Sequence, residues 1–492
     1  MTPRTRAPRS PSRTCPASRA PTLSAAAMAL AFTLGCGGAS VARLPSPTQP
    51  LTRAPDEPFR REPPRTPPGP ALRAPVMTQT QLANGLTLIV VPRPGWPTVS
   101  LAVVTRATEL DYEPGALDLA AAYIARVTLL RQPDTQLGFG ASLDGAGVSG
   151  AMQTRDVEAV LSAVADAIQA PLHTVAMQQA RAELMLDEEM SASSPLGVGR
   201  SFAAQSLYLP AAEFTALRRE RYRAIANIAP PLVSVVARDA FAPPRTAVVL
   251  VGDITSEGAR ALVEPRFGGE YAGPPVRRRA APSAHDTTVP VGVQAMRSSQ
   301  LQVVYGLPAP DLASPDWAAY QVLEAVLAGG FTSSLNTRIR HELGASYGVR
   351  WGSWASFPGR AAFIEARLDT ERAALALQAF FAELQRVRSA PLAEAELERA
   401  RRVVWGEWEN SFSTPSGLLG VCERAFLAGV PVTELAARAE ATRHVSAAEV
   451  HAVAAARLDP ARNVLVLAGA LEGLHGYQIQ REAHGFTLRR LP

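Results

Sequence analysis

Two short apolar runs, Thr246-Ala-Val-Val-Leu-Val-Gly252 and Asn463-Val-Leu-Val-Leu-Ala-Gly469, close the two halves of this chain in the same way. Each ends in glycine, a pattern typical of a buried strand where it leaves its sheet. Pro171-Leu172 likewise recurs as Pro391-Leu392, and position 391 lies 220 positions after position 171. Because the repeat is about 200 residues long, it indicates two homologous globular domains rather than an array of short repeats.

Strands and helices are predicted to follow each other irregularly within each half. In the first half, residues 86–91 and 99–104 are predicted strands, and residues 115–130 a helix. An amphipathic helix is predicted over residues 157–168, with a counterpart over residues 370–387. This order favours the α+β class: two homologous domains, each a mostly antiparallel sheet with helices packed on one face.

The first 35 residues are predicted to be an export signal. They contain five arginines and no acid, and an uncharged apolar stretch runs from about Pro21 to Gly35. Leu34-Gly35-Cys36-Gly37 resembles the lipobox of bacterial lipoproteins, in which the cysteine is lipidated. We therefore expect an exported protein of the cell envelope, anchored through Cys36 and facing the periplasm. Simple secretion and an over-long start are the alternatives.

Two segments rich in proline and charge are predicted to be linkers. Residues 36–75 would form an extended tether, which would hold the domains away from a membrane surface. Residues 268–290 include an arginine triplet and are interpreted as a solvated loop between the domains. The domains are accordingly predicted at residues 76–267 and 291–492.

Charge and cysteine content exclude several classes of function. The formal net charge is +5, which the five arginines of the export signal account for. The mature chain is then near neutral, and its net charge gives no reason to expect nucleic-acid binding. Of three cysteines, only Cys422 would remain as a thiol within a domain. Neither an internal disulfide nor a cysteine zinc cluster is expected.

Several short motifs occur in a fixed order over about residues 77–470. They are Asn84-Gly85-Leu86, a Gly-led helix at Gly115, a glutamate-rich helix at residues 183–189, Val251-Gly252-Asp253, Leu327-Ala-Gly-Gly-Phe-Thr-Ser-Ser-Leu335, Arg340-His-Glu-Leu-Gly-Ala-Ser-Tyr347 and Glu396-Leu-Glu-Arg-Ala400. As a set they resemble a subunit of the M16 family, which includes insulinase, pitrilysin and the mitochondrial processing peptidase. The motif at residues 327–335 is interpreted as helix-start and packing architecture.

The resemblance implies a zinc helix with the pattern His-x-x-Glu-His and a distant glutamate as third protein ligand. In this chain Asp118 stands at the first histidine, Ala121 at the general base and Ala122 at the second histidine. Glu188 or Glu189 would stand at the distal ligand position. None of the seven histidines forms a pair at ligand spacing. We therefore expect no metal in this chain, zinc only in a partner, and no peptide hydrolysis by this chain alone.

The second half resembles the subunit that supports catalysis in two-chain bacterial members of the family. There one chain carries zinc, and its partner contributes an arginine and a tyrosine that reach the peptide substrate. Arg340 and Tyr347 match those positions, which implies a hetero-oligomer with a zinc-bearing sister subunit and a shared peptidase chamber. Gly344 is predicted to end the helix and leave Tyr347 on the following strand.

Other readings of the same residues stay open. Arg340 could instead pair with Glu342, and Tyr347 could be an aromatic at the edge of the core. The whole chain could be a structural or binding scaffold without a role in turnover. It could also be a self-sufficient metallopeptidase with Asp118 and Glu188 or Glu189 as unusual carboxylate ligands.

Overall fold

The computed structural model describes residues 74–141, 144–208, 221–269, 291–354 and 361–491. The predicted export signal, the Cys36 lipidation site, nearly all of the tether and residues 270–290 of the predicted linker lie outside the described residues. Their assignments remain predictions.

Eleven of the described strands form two sheets, one from each half of the chain. The first sheet has the order β1-β2-β6-β3-β5-β4 and the second has the order β7-β11-β8-β10-β9. The strands are β1 (Thr78–Gln81), β2 (Thr87–Pro92), β3 (Thr98–Thr105), β4 (Gln136–Ala141), β5 (Ala146–Gln153), β6 (Thr246–Gly252), β7 (Val291–Ala295), β8 (Gln300–Pro308), β9 (Val349–Trp354), β10 (Ala361–Asp369) and β11 (Val464–Gly469). Two further strands, β12 (Tyr477–Glu482) and β13 (Gly485–Arg490), form a hairpin near the C-terminus.

Pairing within both sheets is antiparallel except between β2 and β6 and between β7 and β11. The longer helices are α1 (Ala116–Arg131), α2 (Val157–Gln169), α3 (Thr174–Ser193), α4 (Pro195–Tyr208), α5 (Pro230–Ala240), α6 (Ser256–Phe267), α7 (Trp317–Ala328), α8 (Ala373–Ser389), α9 (Glu394–Ser413), α10 (Pro415–Ala428), α11 (Leu435–Ala441) and α12 (Ala447–Arg457). The predicted α+β class with mostly antiparallel sheets is confirmed.

The duplication is visible in the lengths and positions of the helices. Helices α3 and α9 have 20 residues each, and α4 and α10 have 14 each. Residue 394, where α9 begins, lies 220 positions after residue 174, and residue 415 lies 220 positions after residue 195. The offset found at the two Pro-Leu pairs therefore extends through both helices.

The central strands carry apolar residues on both faces, and both faces of each sheet are buried. In β3, Val99, Leu101 and Val103 pack with the helices of their own half, while Ala102 and Val104 point into a second core. Because successive side chains point to opposite faces of a sheet, such a run needs a cover on each side. The helices of the same half provide only one of these covers.

The second cover of each sheet comes from the other half of the chain. Helix α4 packs on β8 and β11 of the second sheet, and α10 packs on β3 and β6 of the first. Cys422 of α10 is a buried free thiol in this shared core. The two halves therefore share their hydrophobic cores.

No single helix in the described ranges is long and apolar enough to cross a membrane. Helices α2 and α3, which meet at 89°, pass that test only when taken together.

Candidate functional site

The residues at the zinc-motif positions lie near the start of α1. The helix follows Gly115, whose φ is +79°. A Cβ at residue 115 would lie 2.5 Å from Cγ1 of Ile225, which belongs to the helical segment 221–227. Glycine thus permits both the backbone conformation and the close approach of that segment. The approach brings Arg221 to the buried side chain of Asp118.

Arg221 binds three carboxylates at once. Its guanidinium donates to Asp118, to both carboxylate oxygens of Glu109 at 2.8 Å, and to Glu188 at 2.6 Å. The neighbouring Glu189 is exposed. Of the two candidates for the distal ligand position, Glu188 is therefore the residue that shares a site with Asp118.

Burial and charge together determine the ionisation of this cluster. Burial raises the pKa of Asp118 well above its usual value, and Glu109 raises it further, while Arg221 acts in the opposite direction. Burial acts to lower the pKa of Arg221, but the three carboxylates outweigh it and raise that pKa. Arg221 is accordingly a permanent cation at the centre of the cluster.

A zinc ion does not fit this arrangement. Ala121 and Ala122 are buried and offer only methyl groups. The carboxylates of Asp118 and Glu188 are bound to Arg221, so their oxygens are directed at a guanidinium. Within the described parts of the chain, no group of three or more His, Cys, Asp or Glu side chains is arranged to hold a metal ion.

Arg340 lies in a different surrounding, against two exposed aromatic rings. It belongs to the π-helical turn Thr337–Glu342, a form of helix often found at functional sites. Its Cζ atom lies 3.8 Å from the ring centroid of Phe331 and 5.2 Å from that of Tyr347. Glu342 accepts a hydrogen bond from Arg338 at 3.2 Å instead. Arg340 is therefore held by cation–π contacts rather than by that acid.

Tyr347 is brought to Arg340 by a change of backbone direction. Gly344, with φ of +58°, ends the helical turn as predicted. The prediction that Tyr347 lies on the following strand is wrong, because β9 begins two residues later. Before it, the Ser346 hydroxyl donates to the carbonyl of Gly348 at 3.0 Å and accepts from its N–H at 3.1 Å. The resulting turn leaves the Tyr347 ring 77% exposed.

Asn336 fixes the loop of Phe331 to strand β9. Its buried side chain donates to the carbonyls of Gly330 at 3.0 Å and Val349 at 2.8 Å. It also accepts from the Val349 N–H at 2.8 Å. The segment at residues 327–335 contains the end of α7 and brings Phe331 into contact with Arg340.

A cleft of about 650 Å³ extends from Phe331 and Tyr347 across the second sheet. Its walls include the N-terminal part of α4 and strands β8, β9 and β10. Arg200 of α4 binds Glu365 of β10 through two hydrogen bonds, one of them 2.7 Å long, inside this cleft. Tyr347 therefore lines one end of a groove large enough for part of a peptide, and Arg340 contacts this end through the rings of Phe331 and Tyr347.

Sequence reasoning missed several residues of these sites. Arg221, Glu109 and Asn336 reach their partners only through the fold, and Arg221 lies 103 positions from Asp118. Phe331 lies within the motif at residues 327–335. An aromatic residue directly after a glycine pair was the sequence feature that could have indicated an exposed contact residue.

Comparison with known proteins supports the same class of fold. Residues 237–404 match the family model described as peptidase M16 inactive domain. No curated protein sequence matches the chain.

Solved structures extend the likeness to most of the described residues. A peptidase M16 inactive domain from Pseudomonas fluorescens aligns with a TM-score of 0.68 at 19% identity, covering 80% of this chain and 98% of that one. A protease from Helicobacter pylori aligns with a TM-score of 0.70 at 13% identity, covering 81% and 100%. A chain of complex III2 from Candida albicans aligns with a TM-score of 0.62 at 14% identity, covering 81% and 97%.

The fold, in which each sheet is covered by a helix of the other half, is similar to that of M16-like proteins. Residues 237–404 thus match the inactive domain of the M16 family, and they lie within a fold similar to that of M16-like proteins.

Proposed function

We propose that this chain is the supporting subunit of a two-chain peptidase, in which a sister M16 subunit carries zinc and this chain helps to hold the peptide. In the same proposal it is exported and anchored to the cell envelope through Cys36. The observation that carries the proposal is the placement of Arg340 over Phe331 and Tyr347 at one end of an open cleft.

The chemistry of this group suits a peptide backbone. A guanidinium donates to a carbonyl or a carboxylate, and a tyrosine hydroxyl can donate to an oxygen as negative charge develops on it. Because stacking on Phe331 holds the Arg340 plane, less conformational freedom is lost when substrate binds. Exposure of both rings leaves them accessible from the cleft.

The Arg221 cluster supports a division of labour between two chains. A buried guanidinium bound to Asp118 and Glu188 competes with any cation for these oxygens. We therefore infer that this chain is purified without stoichiometric metal. A self-sufficient metallopeptidase would require one equivalent of metal and hydrolysis by the chain alone.

The experiment combines the purified chain with a sister chain that has an intact His-x-x-Glu-His motif. We expect a complex on size-exclusion chromatography and faster cleavage of a fluorogenic peptide mixture than by the sister chain alone. Arg340→Ala should lower this stimulation without abolishing the complex. Arg338→Ala is the matched control, since Arg338 lies on the same turn but pairs with Glu342. Lack of a complex, together with hydrolysis unchanged by Arg340→Ala, would refute the proposal.

A scaffold without a role in turnover is the second candidate. It is favoured by the likeness to a chain of complex III2 from Candida albicans. It predicts association with the sister chain and no effect of Arg340→Ala or Tyr347→Phe on any turnover. The same mixing experiment separates the two candidates.

A further inference from the structure

We infer that the cleft beside Tyr347 selects peptides with acidic side chains, a property that deepens the proposed function and rests on it for the peptide nature of the ligand. The inference begins from the charges that line the cleft. Among the described residues they are three arginines and one acid: Arg200, Arg350, Arg367 and Glu365.

The acid among these residues, Glu365, is already neutralised. Glu365 on β10 lies directly opposite Arg350 on β9 in the antiparallel register, the position at which an arginine and a glutamate would normally pair. Arg200 reaches in from the first half of the chain instead and binds both oxygens of Glu365. Arg350 is therefore left without its cross-strand acid.

Arg350 and Arg367 present their charge on one face of the sheet. Residues 365 and 367 are two apart on β10, and Arg350 lies opposite residue 365, so all three side chains point to the cleft. Both arginines are exposed. Among the described residues neither side chain has a recorded hydrogen bond or ion pair. The cleft thus offers two guanidinium groups that are free to bind an anionic ligand.

The duplicated fold contains an internal comparison. A cleft of about 670 Å³ lies at the corresponding place on the first sheet, beside β4 and the start of α10. Of the described residues that line it, only Glu423 is charged. Gly420 on α10 lies 220 positions after Arg200 on α4, so the position that carries an arginine in one cleft has no side chain in the other. The positive charge is therefore a property of the second cleft and not of the fold.

The edge of the sheet favours an extended peptide over other anions. Strand β9 is the last strand of its sheet, and no described strand pairs with its outer edge. Asn336 binds both backbone groups of Val349, which shows that these groups point away from β10. By the alternation of an antiparallel ladder, the backbone groups of Trp351 point to the same outer edge. A peptide can pair with that edge while its acidic side chains reach Arg350 and Arg367.

The cleft also has room above the strand. Gly352 lies two residues from Arg350 on the same face, and a Cβ placed there would meet no atom within 4 Å. Ligand side chains can therefore lie over β9 without displacing residues of the protein.

The test measures fluorescence anisotropy of a labelled Asp-rich peptide with the full chain, without any sister subunit. Its Asn-substituted counterpart and an oligonucleotide of equal net charge are the comparison ligands. We expect the Asp-rich peptide to bind at least about tenfold more tightly than the Asn peptide, and this preference should weaken as salt is added.

The variant that tests the two cleft arginines is Arg350→Gln combined with Arg367→Gln. It should lose most of the preference for the acidic peptide. Arg223→Gln combined with Arg399→Gln removes the same charge from exposed positions outside the cleft and should retain it. Equal loss in both double variants, or no preference in the wild-type chain, would overturn the inference. An oligonucleotide that binds as tightly as the Asp-rich peptide would overturn the assignment to peptides.

The experiments distinguish a failure of this inference from a failure of the proposed function. If the acidic preference is found but Arg340→Ala leaves hydrolysis by the sister chain unchanged, the proposed function fails and the cleft remains a peptide-binding site. If the complex and the Arg340 effect are found without an acidic preference, only the present inference fails.

Discussion

Arg221 donates a hydrogen bond to Asp118, the residue that stands where the resemblance to M16 peptidases places the first zinc-ligating histidine. A side chain from a segment 103 positions further along the sequence thus places a fixed positive charge beside Asp118. Glu109 and Glu188 complete the cluster. The cluster is therefore organised around a cation that belongs to the chain itself.

Arg221→Met should destabilise the fold by roughly 2–4 kcal/mol, because three partly or fully buried carboxylates would lose their common partner. We expect urea denaturation to show this loss. Calcium, which prefers carboxylate oxygens, should restore part of the stability to the variant and none to the wild type. Arg223→Met, at an exposed position two residues along, is the control. A wild-type chain that is stabilised by calcium as strongly as the variant would contradict the cluster described above.

Glu324 should make stability depend on pH. Burial raises its pKa from 4.5 to about 8, and the charge of Glu407 acts in the same direction. Between about pH 5 and pH 8 the unfolded chain has released a proton that the folded chain retains, so stability should fall as pH rises. Glu324→Gln should flatten this fall in urea denaturation across that range. Glu257→Gln, at an exposed position, should leave the slope unchanged; identical slopes in all three proteins would exclude this role for Glu324.

Asn336→Ala should detach the loop of Phe331 from β9. The substitution leaves the Val349 N–H and two carbonyls without their partner, at a cost of about 2–3 kcal/mol. Hydrogen exchange should show loss of protection at the Val349 amide. Protection at Ile364, in the middle of β10, serves as the internal control. Unchanged exchange at residue 349 would mean that Asn336 does not hold this strand.

The exchange of helices between the halves should couple their unfolding. Leu207 of α4 is fully buried. It belongs to one hydrophobic cluster with Val304, Phe363 and Val466 of the second sheet. Leu207→Ala should cost about 2–4 kcal/mol, and far- and near-ultraviolet circular dichroism should still report one common transition. Leu375→Ala, whose side chain is 58% exposed, should change stability by less than about 0.5 kcal/mol. Two separate transitions in the wild-type chain would show that the halves fold independently.

Much of the fold followed from local patterns. The predicted strands at residues 86–91 and 99–104 lie within one residue of β2 and β3 at each end. The predicted helix at residues 157–168 differs from α2 by one residue. Such elements are predictable because burial on one or both faces leaves a regular apolar period in the sequence.

The candidate sites were less predictable, since they depend on contacts between distant segments. From the sequence alone, Glu188 and Glu189 were both candidates for the distal ligand position. In the structure the side chain of Glu188 contacts Arg221. It also could not show that Arg340 would stack on Phe331 while Glu342 turns to Arg338. A salt bridge or a cation–π contact between distant residues leaves no periodic pattern in the sequence.

By itself, the sequence determined the duplication, the strand and helix pattern and the identities of Asp118, Ala121 and Ala122, which are neither histidine nor glutamate. Repeats, the period of apolar residues and residue identities can all be read directly from the order of residues. The tertiary structure alone decided that α4 and α10 each cover the sheet of the other half, and that Arg200 takes Glu365 from its opposite neighbour Arg350. These contacts depend on which surfaces pack together when apolar area is buried during folding. Arg200 and Glu365, 165 positions apart, come into contact only in the folded chain.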